Sequence, residues 1–162
     1  LRALIKGLAI VLGDHVDSEQ LHPACFFSLD PERVKSGLFK GMDERIQQLL
    51  QSGSILFAGR NFGCGSSREV IIQAILYNKI QVIIAESFSR IFFRNAINNG
   101  LLLIEYPEAT KIAVDSDQIV VEIVSGYIQN VTQDKMYKFA SLDPFFLNLL
   151  ERSNKKGRVM LQ

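Results

Sequence analysis

Ser54-Ile55-Leu56-Phe57-Ala58-Gly59-Arg60-Asn61-Phe62-Gly63-Cys64-Gly65-Ser66-Ser67-Arg68-Glu69 is the stretch from which the architecture of this chain can be read. Its first five residues form an apolar, strand-like run. Three glycines then interrupt it, and two hydroxyls, a guanidinium and a carboxylate follow at once. Val70 to Lys79 is helix-like. A glycine-rich turn from a strand into a helix gathers backbone N–H groups at one point, where the helix dipole favours negative charge. Such a turn suits an anion. With Ser66, Ser67 and Arg68 on it, it also suits chemistry on a carboxylate-bearing substrate.

The same strand–helix grammar continues downstream. Gln81–Ala85 is an unbroken apolar strand, Ser87–Asn99 a helix, and Gly100 stands where a glycine ends a helix. Leu101–Glu105 is the next strand, stopped by Pro107. Short connections and apolar strands predict parallel pairing, right-handed crossovers and helices on the sheet faces. On the second helix Phe88, Ile91, Phe92 and Asn95 fall on one face, which reads as a core stripe.

Upstream, Leu4–Leu12 reads as a strand ending at Gly13-Asp14, and Asp14–Pro23 as a polar loop. Met42–Gln51 reads as a helix with Gly53 as its stop signal. Beyond Pro107 the pattern changes to short strand-like pieces at Lys111–Val114, Gln118–Val124, Tyr127–Val131 and Met136–Phe139, an antiparallel addition. Leu142-Asp143-Pro144 opens a last helix, with Asp143 as N-cap and Pro144 at N1. The expected architecture is α/β, a parallel βαβαβ core with an antiparallel C-terminal addition. There are no repeats and no linker, so residues 1–162 read as one domain.

Composition narrows the function classes. The 162 residues are 48% hydrophobic and 22% charged, as in an ordinary soluble globular domain. A net charge of +1 carries no nucleic-acid footprint, and the basic cluster Lys155, Lys156 and Arg158 reads as a solvated tail. No apolar run is long enough to span a membrane, and Gly7–Leu12 is too short for a signal core. The two cysteines, Cys25 and Cys64, fit neither a zinc knuckle nor a redox pair. Two thiolates do not make up the ligand set of a [4Fe–4S] cluster, so any cluster would come from another chain. A reducing, cytoplasmic or matrix-like compartment is the default.

The turn itself supports two readings from its residues. Ser66-Ser67-Arg68-Glu69 matches a capping box, with Ser66 as N-cap and Glu69 at N3, and the glycines allow tight geometry. Alternatively the turn is an anion site. It lacks the lysine of a phosphate-binding P-loop and the glycine spacing of a dinucleotide fingerprint. His15 and His22 both lie in the N-terminal loop, and nothing specific in the sequence supports a Ser-His-Asp triad. A serine without such a base can act if converging N–H donors and a cation stabilise its oxyanion. The amides of 63–67 and Arg68 are the candidates.

Four segments together carry a resemblance. The run from Gly59 to Glu69 resembles the signature of the swivelling domain of the aconitase superfamily, and within it the small subunits of 3-isopropylmalate dehydratases. Gly13 to Ala24 is similar to the family's N-terminal D-N-I-D-T-D-Q-I-I-P-A. Ala85 to Leu101 is similar to S-F-A-R-I-F-Y-R-N-A-x-N-x-G-L, and Leu142-Asp143-Pro144-Phe145 to L-D-P-F. The matches keep order and spacing over nearly the whole chain.

The resemblance implies a three-layer β/β/α swivelling domain. It also implies a hydro-lyase subunit active only with a large subunit, in a heterodimer or larger heteromer. That partner carries the [4Fe–4S] cluster, and this chain binds no cofactor or metal. The substrate is a small 2-hydroxy di-acid, interconverted between 2- and 3-isopropylmalate in leucine biosynthesis. By position, Ser66 is the base, Ser67 and the turn amides at Cys64 and Gly65 support the oxyanion, and Arg68 holds a substrate carboxylate.

Cys25 and Phe26 fall where relatives recognise the variable side group. Cys25 replaces a common arginine there, which disfavours a longer acidic substrate and leaves room for an alkyl group. The aromatic pair Phe26-Phe27 is equally readable as packing for the loop. His15 and His22 depart from the family pattern, as do Val70-Ile71-Ile72, which read as altered packing or a subunit face. His22 could touch substrate, but with no evident partner it is expected on the loop surface. The alternatives are the small subunit of a homoaconitase, citraconate/methylmalate or dimethylmalate dehydratase, or a non-catalytic binding or regulatory relative.

Overall fold

The computed structural model describes residues 4–66 and 68–160. Four parallel strands, β1 (Leu4–Val11), β2 (Ile55–Ala58), β3 (Val82–Ala85) and β4 (Leu102–Glu105), form one half of a seven-stranded sheet. The other half is antiparallel, β5 (Gln118–Glu122), β6 (Tyr127–Asn130) and β7 (Lys135–Lys138). The strand order is β4-β3-β2-β1-β5-β6-β7, so β5 pairs with the free edge of β1. Among the described residues six α-helices accompany the sheet: α1 (Ser18–Leu21), α2 (Pro31–Ser36), α3 (Glu44–Leu49), α4 (Glu69–Tyr77), α5 (Arg90–Asn98) and α6 (Pro144–Met160).

Every residue of β2 and β3 is buried, as their unbroken apolar sequence requires when both faces are covered. Alternate side chains divide into two cores. Ile10, Leu56 and Ile83 pack with Ile71, Ile72 and Ile75 of α4 and with Val34 of α2. Phe57, Ile84 and Ile104 pack with Ile119, Val121 and Ile128 of the antiparallel half and with Leu150 of α6. The sheet therefore curls, and its antiparallel half covers one face of its parallel half. Ile71 and Ile72 are core residues, which accounts for their departure from the family pattern as packing.

Several local expectations change. Asp14–Pro23 is not all loop, because α1 lies within it. Asp17 Oδ1 accepts from the Gln20 amide at 2.8 Å and Gln20 Oε1 accepts from the Asp17 amide at 2.9 Å. That reciprocal pair is a capping box written with Asp and Gln. α2 was also not anticipated, although Asp30 caps it and Pro31 occupies its first turn. Ala109–Lys111 is a 3₁₀ turn where a strand was expected at Lys111–Val114. Backbone groups there bond to side chains instead of a ladder: Asn130 donates to the Ile112 carbonyl and the Val114 amide to Asp117. On α5 the core face is Phe92 and Ala96, whereas Ile91 is 60% exposed. The side chains of the basic cluster at Lys155, Lys156 and Arg158 lie outside what is described.

The junction between the sheet halves is pinned by a buried carboxylate. Asp117 Oδ2 accepts from Asn130 Nδ2 at 2.8 Å, Gln133 Nε2 at 2.8 Å and the Val114 amide at 3.0 Å. Burial pushes this carboxyl up, but those donors outweigh it and hold it below the usual 3.8. A depressed folded-state pKa stabilises the fold above the unfolded value and ceases to do so as pH falls through the folded one. Asp117→Ala should cost about 2–4 kcal/mol in urea unfolding at pH 7, because it strips several charge-assisted bonds and leaves donors buried. The difference between the proteins should narrow as pH falls below 3.8. A gap that widens on acidification would contradict the pairing.

Candidate functional site

The parallel strands end on one side of the sheet, where open α/β sheets bind ligands. Loop 12–17 leaves β1, loop 59–68 leaves β2, and loop 86–89 leaves β3. The glycine-rich segment lies between the other two and is bonded to both. Its Gly59 and Gly63 amides donate to the carbonyls of Gly13 at 3.1 Å and Val16 at 2.8 Å. In return the His15 and Ser18 amides donate to Arg60 at 2.8 Å and Cys64 at 2.9 Å. On the opposite side the Phe62 amide donates to Ser87 at 3.0 Å and the Ser89 amide to Phe62 at 2.9 Å. Ser89 also caps α5 and donates its hydroxyl to the Gly63 carbonyl at 2.8 Å.

Glycine is needed here for close approach. A Cβ on Gly63 would lie against the Phe92 ring, 2.5 Å from its Cδ2, at a backbone φ of +79°. A Cβ on Gly59 would strike the Asp14 carboxylate. That carboxylate accepts from the Arg60 amide at 2.8 Å and from its guanidinium at 3.3 Å. The Arg60 amide is the chief reason the Asp14 carboxyl sits below its ordinary value, with the guanidinium adding to it. Phe62 underpins the segment edge-on to Phe88 and Phe92, at ring centroid distances of 6.0 and 5.3 Å.

Beyond Cys64 the segment leaves this scaffold. Gly65 (φ +90°) and Ser66 are exposed, and neither hydrogen-bonds to another described residue. α4 begins at Glu69 with Arg68 as its N-cap, and no side chain caps it. The capping box expected at Ser66 and Glu69 is thus absent. Glu69 is the first helical residue, so the helix starts too late for Ser66 to reach its amides. The Ser66 hydroxyl stands free of that role. The Gly63 amide, expected among the anion donors, is engaged by Val16, which leaves the amides of Cys64, Gly65 and Ser66 among the described residues. Ser67 lies outside the described residues.

Arg68 is exposed, and its guanidinium carbon lies over the Phe27 ring at 4.8 Å from the centroid. This brings the turn and the 24–27 loop together. In that loop Cys25 is exposed and Phe26 half-buried. Arg33 of α2 donates to the Cys25 carbonyl at 2.6 Å and lies over Phe26 at 5.2 Å. His22, expected on the surface, is 1% exposed beneath both phenyl rings. Nothing in the sequence paired Arg33 or Arg68 with particular rings. The adjacency of His22, Phe26 and Phe27 was the available sign of an aromatic cluster.

Among the described residues no group of three or more His, Cys, Asp or Glu could hold a metal ion. Cys25 and Cys64 are both free thiols, and two thiols are not the ligand set of a four-iron cluster. Among the described residues no helix is long and apolar enough to cross a membrane.

The architecture and the serine–arginine turn at the strand ends define an aconitase-type domain. Residues 40–109 match the aconitase C-terminal domain family. Aconitase X of Thermococcus kodakaraensis shares the fold, with a TM-score of 0.52 at 17% identity over 85% of this chain and 91% of that one. A crystal structure of 3-isopropylmalate dehydratase from Methanocaldococcus jannaschii superposes with a TM-score of 0.84 at 34% identity, covering 98% of this chain and 97% of that one. The 3-isopropylmalate dehydratase small subunit of Ruminiclostridium cellulolyticum is 39% identical over 90% of each chain. That of Thermodesulfovibrio yellowstonii is 37% identical over 91% of this chain and 88% of its own. The chain belongs to the family of 3-isopropylmalate dehydratase small subunits.

The interlocked loops predict that Gly63→Ala destabilises the fold by about 2–4 kcal/mol, from a left-handed backbone and an overpacked ring together. Gly13→Ala, where a Cβ meets nothing within 4 Å, should change stability by less than about 0.5 kcal/mol. Equal denaturation midpoints for the two variants would contradict this.

Proposed function

We propose that this chain is the small subunit of a hydro-lyase that interconverts 2- and 3-isopropylmalate, a step of leucine biosynthesis, and works in the cytoplasm with a large subunit. The carrying observation is the exposed Ser66, released from helix capping and followed by an exposed guanidinium. Relatives bearing the 3-isopropylmalate dehydratase small-subunit name at 39% and 37% identity support the substrate. The [4Fe–4S] cluster that this chemistry uses belongs, in this reading, to the large subunit, since Cys25 and Cys64 do not make up its ligands.

The roles of this chain's residues follow from charge and reach. Arg68 forks onto a substrate carboxylate and fixes the molecule beside the turn. Ser66 Oγ, as the alkoxide, takes the proton on the carbon next to that carboxylate, and negative charge builds on the carboxylate oxygens; the alkene forms as that charge expels hydroxide from the neighbouring carbon, a departure that the Lewis acid on the large subunit would assist. The Cys64, Gly65 and Ser66 amides stabilise the oxyanion without the reorganisation that water would need, and the family resemblance gives Ser67 the same role. Rehydration in the opposite sense gives the other isomer: hydroxide adds to the carbon that lost the proton, and the proton held by Ser66 goes to the carbon that lost hydroxide. Cys64, Cys25 and Phe26 border the space for the substrate's side group.

Two outcomes are expected. The isolated chain should be inactive and should gain activity when reconstituted with the large subunit, iron and sulfide. Turnover by the isolated chain would refute the assignment. In the reconstituted complex, Ser66→Ala should lower kcat by about two or more orders of magnitude while assembly persists, since removing a base removes a transition-state interaction. Wild-type turnover in that variant would exclude Ser66 as the base. A coupled assay across isopropylmalate, homoaconitate, citraconate and dimethylmalate separates the substrate from its relatives, with highest kcat/KM expected for isopropylmalate.

A further inference from the structure

We infer that His22 is a positioning residue for Arg68, acting through Phe27. His22 is 1% exposed. Its Nε2 lies 2.8 Å from the Val34 carbonyl, and a carbonyl only accepts, so Nε2 carries the proton. Nδ1 is then a buried lone pair with no hydrogen-bond partner among the described residues. Burying an unpartnered polar atom is unfavourable, and an apolar residue of similar size would avoid it. What the imidazole adds is a ring whose orientation is fixed by a hydrogen bond to α2.

That fixed ring organises the loop above it. Phe27 stacks on His22 at 5.5 Å between centroids, with planes 16° apart, and Phe26 packs edge-on at 6.3 Å. Phe27 in turn lies beneath the Arg68 guanidinium. An arginine at the surface explores many rotamers, and an aromatic face restrains it with a planar, electrostatically attractive seat. The backbone ties the same parts together: the His22 amide donates to Ser18, and the Ser18 amide donates to Cys64 in the glycine segment. Gly37 completes the fit, because a Cβ there would lie 2.5 Å from both His22 Nε2 and Phe26 Cβ. The chain of contacts from Val34 through His22 and Phe27 thus sets where Arg68 stands before substrate arrives. Its consequence for catalysis rests on the reading of Arg68 as the carboxylate clamp.

The test has one readout that needs no activity and one that does. In NMR spectra of the full chain, the Arg68 side-chain protons should be shifted upfield by the Phe27 ring current. Phe27→Leu should return them to ordinary arginine values, Phe27→Tyr should keep them, and His22→Leu should move them partway. In the reconstituted complex, Phe27→Leu and His22→Leu should raise KM for isopropylmalate about two- to fivefold, the size of an exposed cation–π contact, with kcat changed by less than twofold. If Phe27→Leu leaves the Arg68 protons unmoved, the inference is wrong. The same holds if folded His22→Leu leaves them unmoved. Phe27 is only half-buried, so its variant decides the matter if His22→Leu does not fold. Shifts that move as expected while KM stays constant would uphold the positioning and instead remove the clamp role from Arg68.

Discussion

Past the ends of β1, β2 and β3 the parallel pairing does not stop. Asp17 pairs with Cys64 and Phe62 with Phe88, so the loops continue the sheet for several residues beyond its strands. Backbone bonding of this kind is directional and leaves little freedom to the segment in the middle. It delivers Gly63 and Cys64 to a fixed place and then ends, so the next residues project from a rigid base. Gly65, Ser66 and Arg68 are those residues. Their exposure and their unengaged donors are consequences of where the pairing runs out.

The rest of the fold serves that arrangement. Two cores clamp the parallel strands from both faces, and Phe62 and Phe92 hold the underside of the glycine segment. The capping of α1 by Asp17 and Gln20 sets the course of the 18–22 chain and so places His22 below the 24–27 loop. That loop then supplies the aromatic seat for Arg68. In the proposed reading Ser66, projecting from one loop, and Arg68, held against another, are this chain's share of an active centre at the sheet's carboxyl edge.

The parallel core was legible because its apolar runs are short, uninterrupted and spaced by helical segments with clear stop signals. The serine–arginine turn was legible because glycines, hydroxyls and charge crowd into one connection. What failed was context that a local pattern cannot carry. Ser66 and Glu69 have capping-box spacing, yet α4 begins only at Glu69 with Arg68 as its N-cap, too late for Ser66 to cap it. Asp17 and Gln20 do form the box, in a segment whose polarity suggested a loop. Ile112 and Ala113 look like strand residues, but their buried side chains belong to a 3₁₀ corner fastened by Asn130 and Asp117. His22 is a polar residue in a polar segment, and only the fold puts it under two phenyl rings.

The central claim is that the turn after Cys64 receives the substrate on this chain's side of a shared centre. A crystal structure of the reconstituted complex with bound isopropylmalate tests it most directly. The account predicts a substrate carboxylate within hydrogen-bonding distance of the Arg68 guanidinium and the Gly65 or Ser66 amide, with Ser66 Oγ facing the adjacent C–H. A substrate held wholly by the large subunit, with Ser66 and Arg68 turned away from it, would contradict the account.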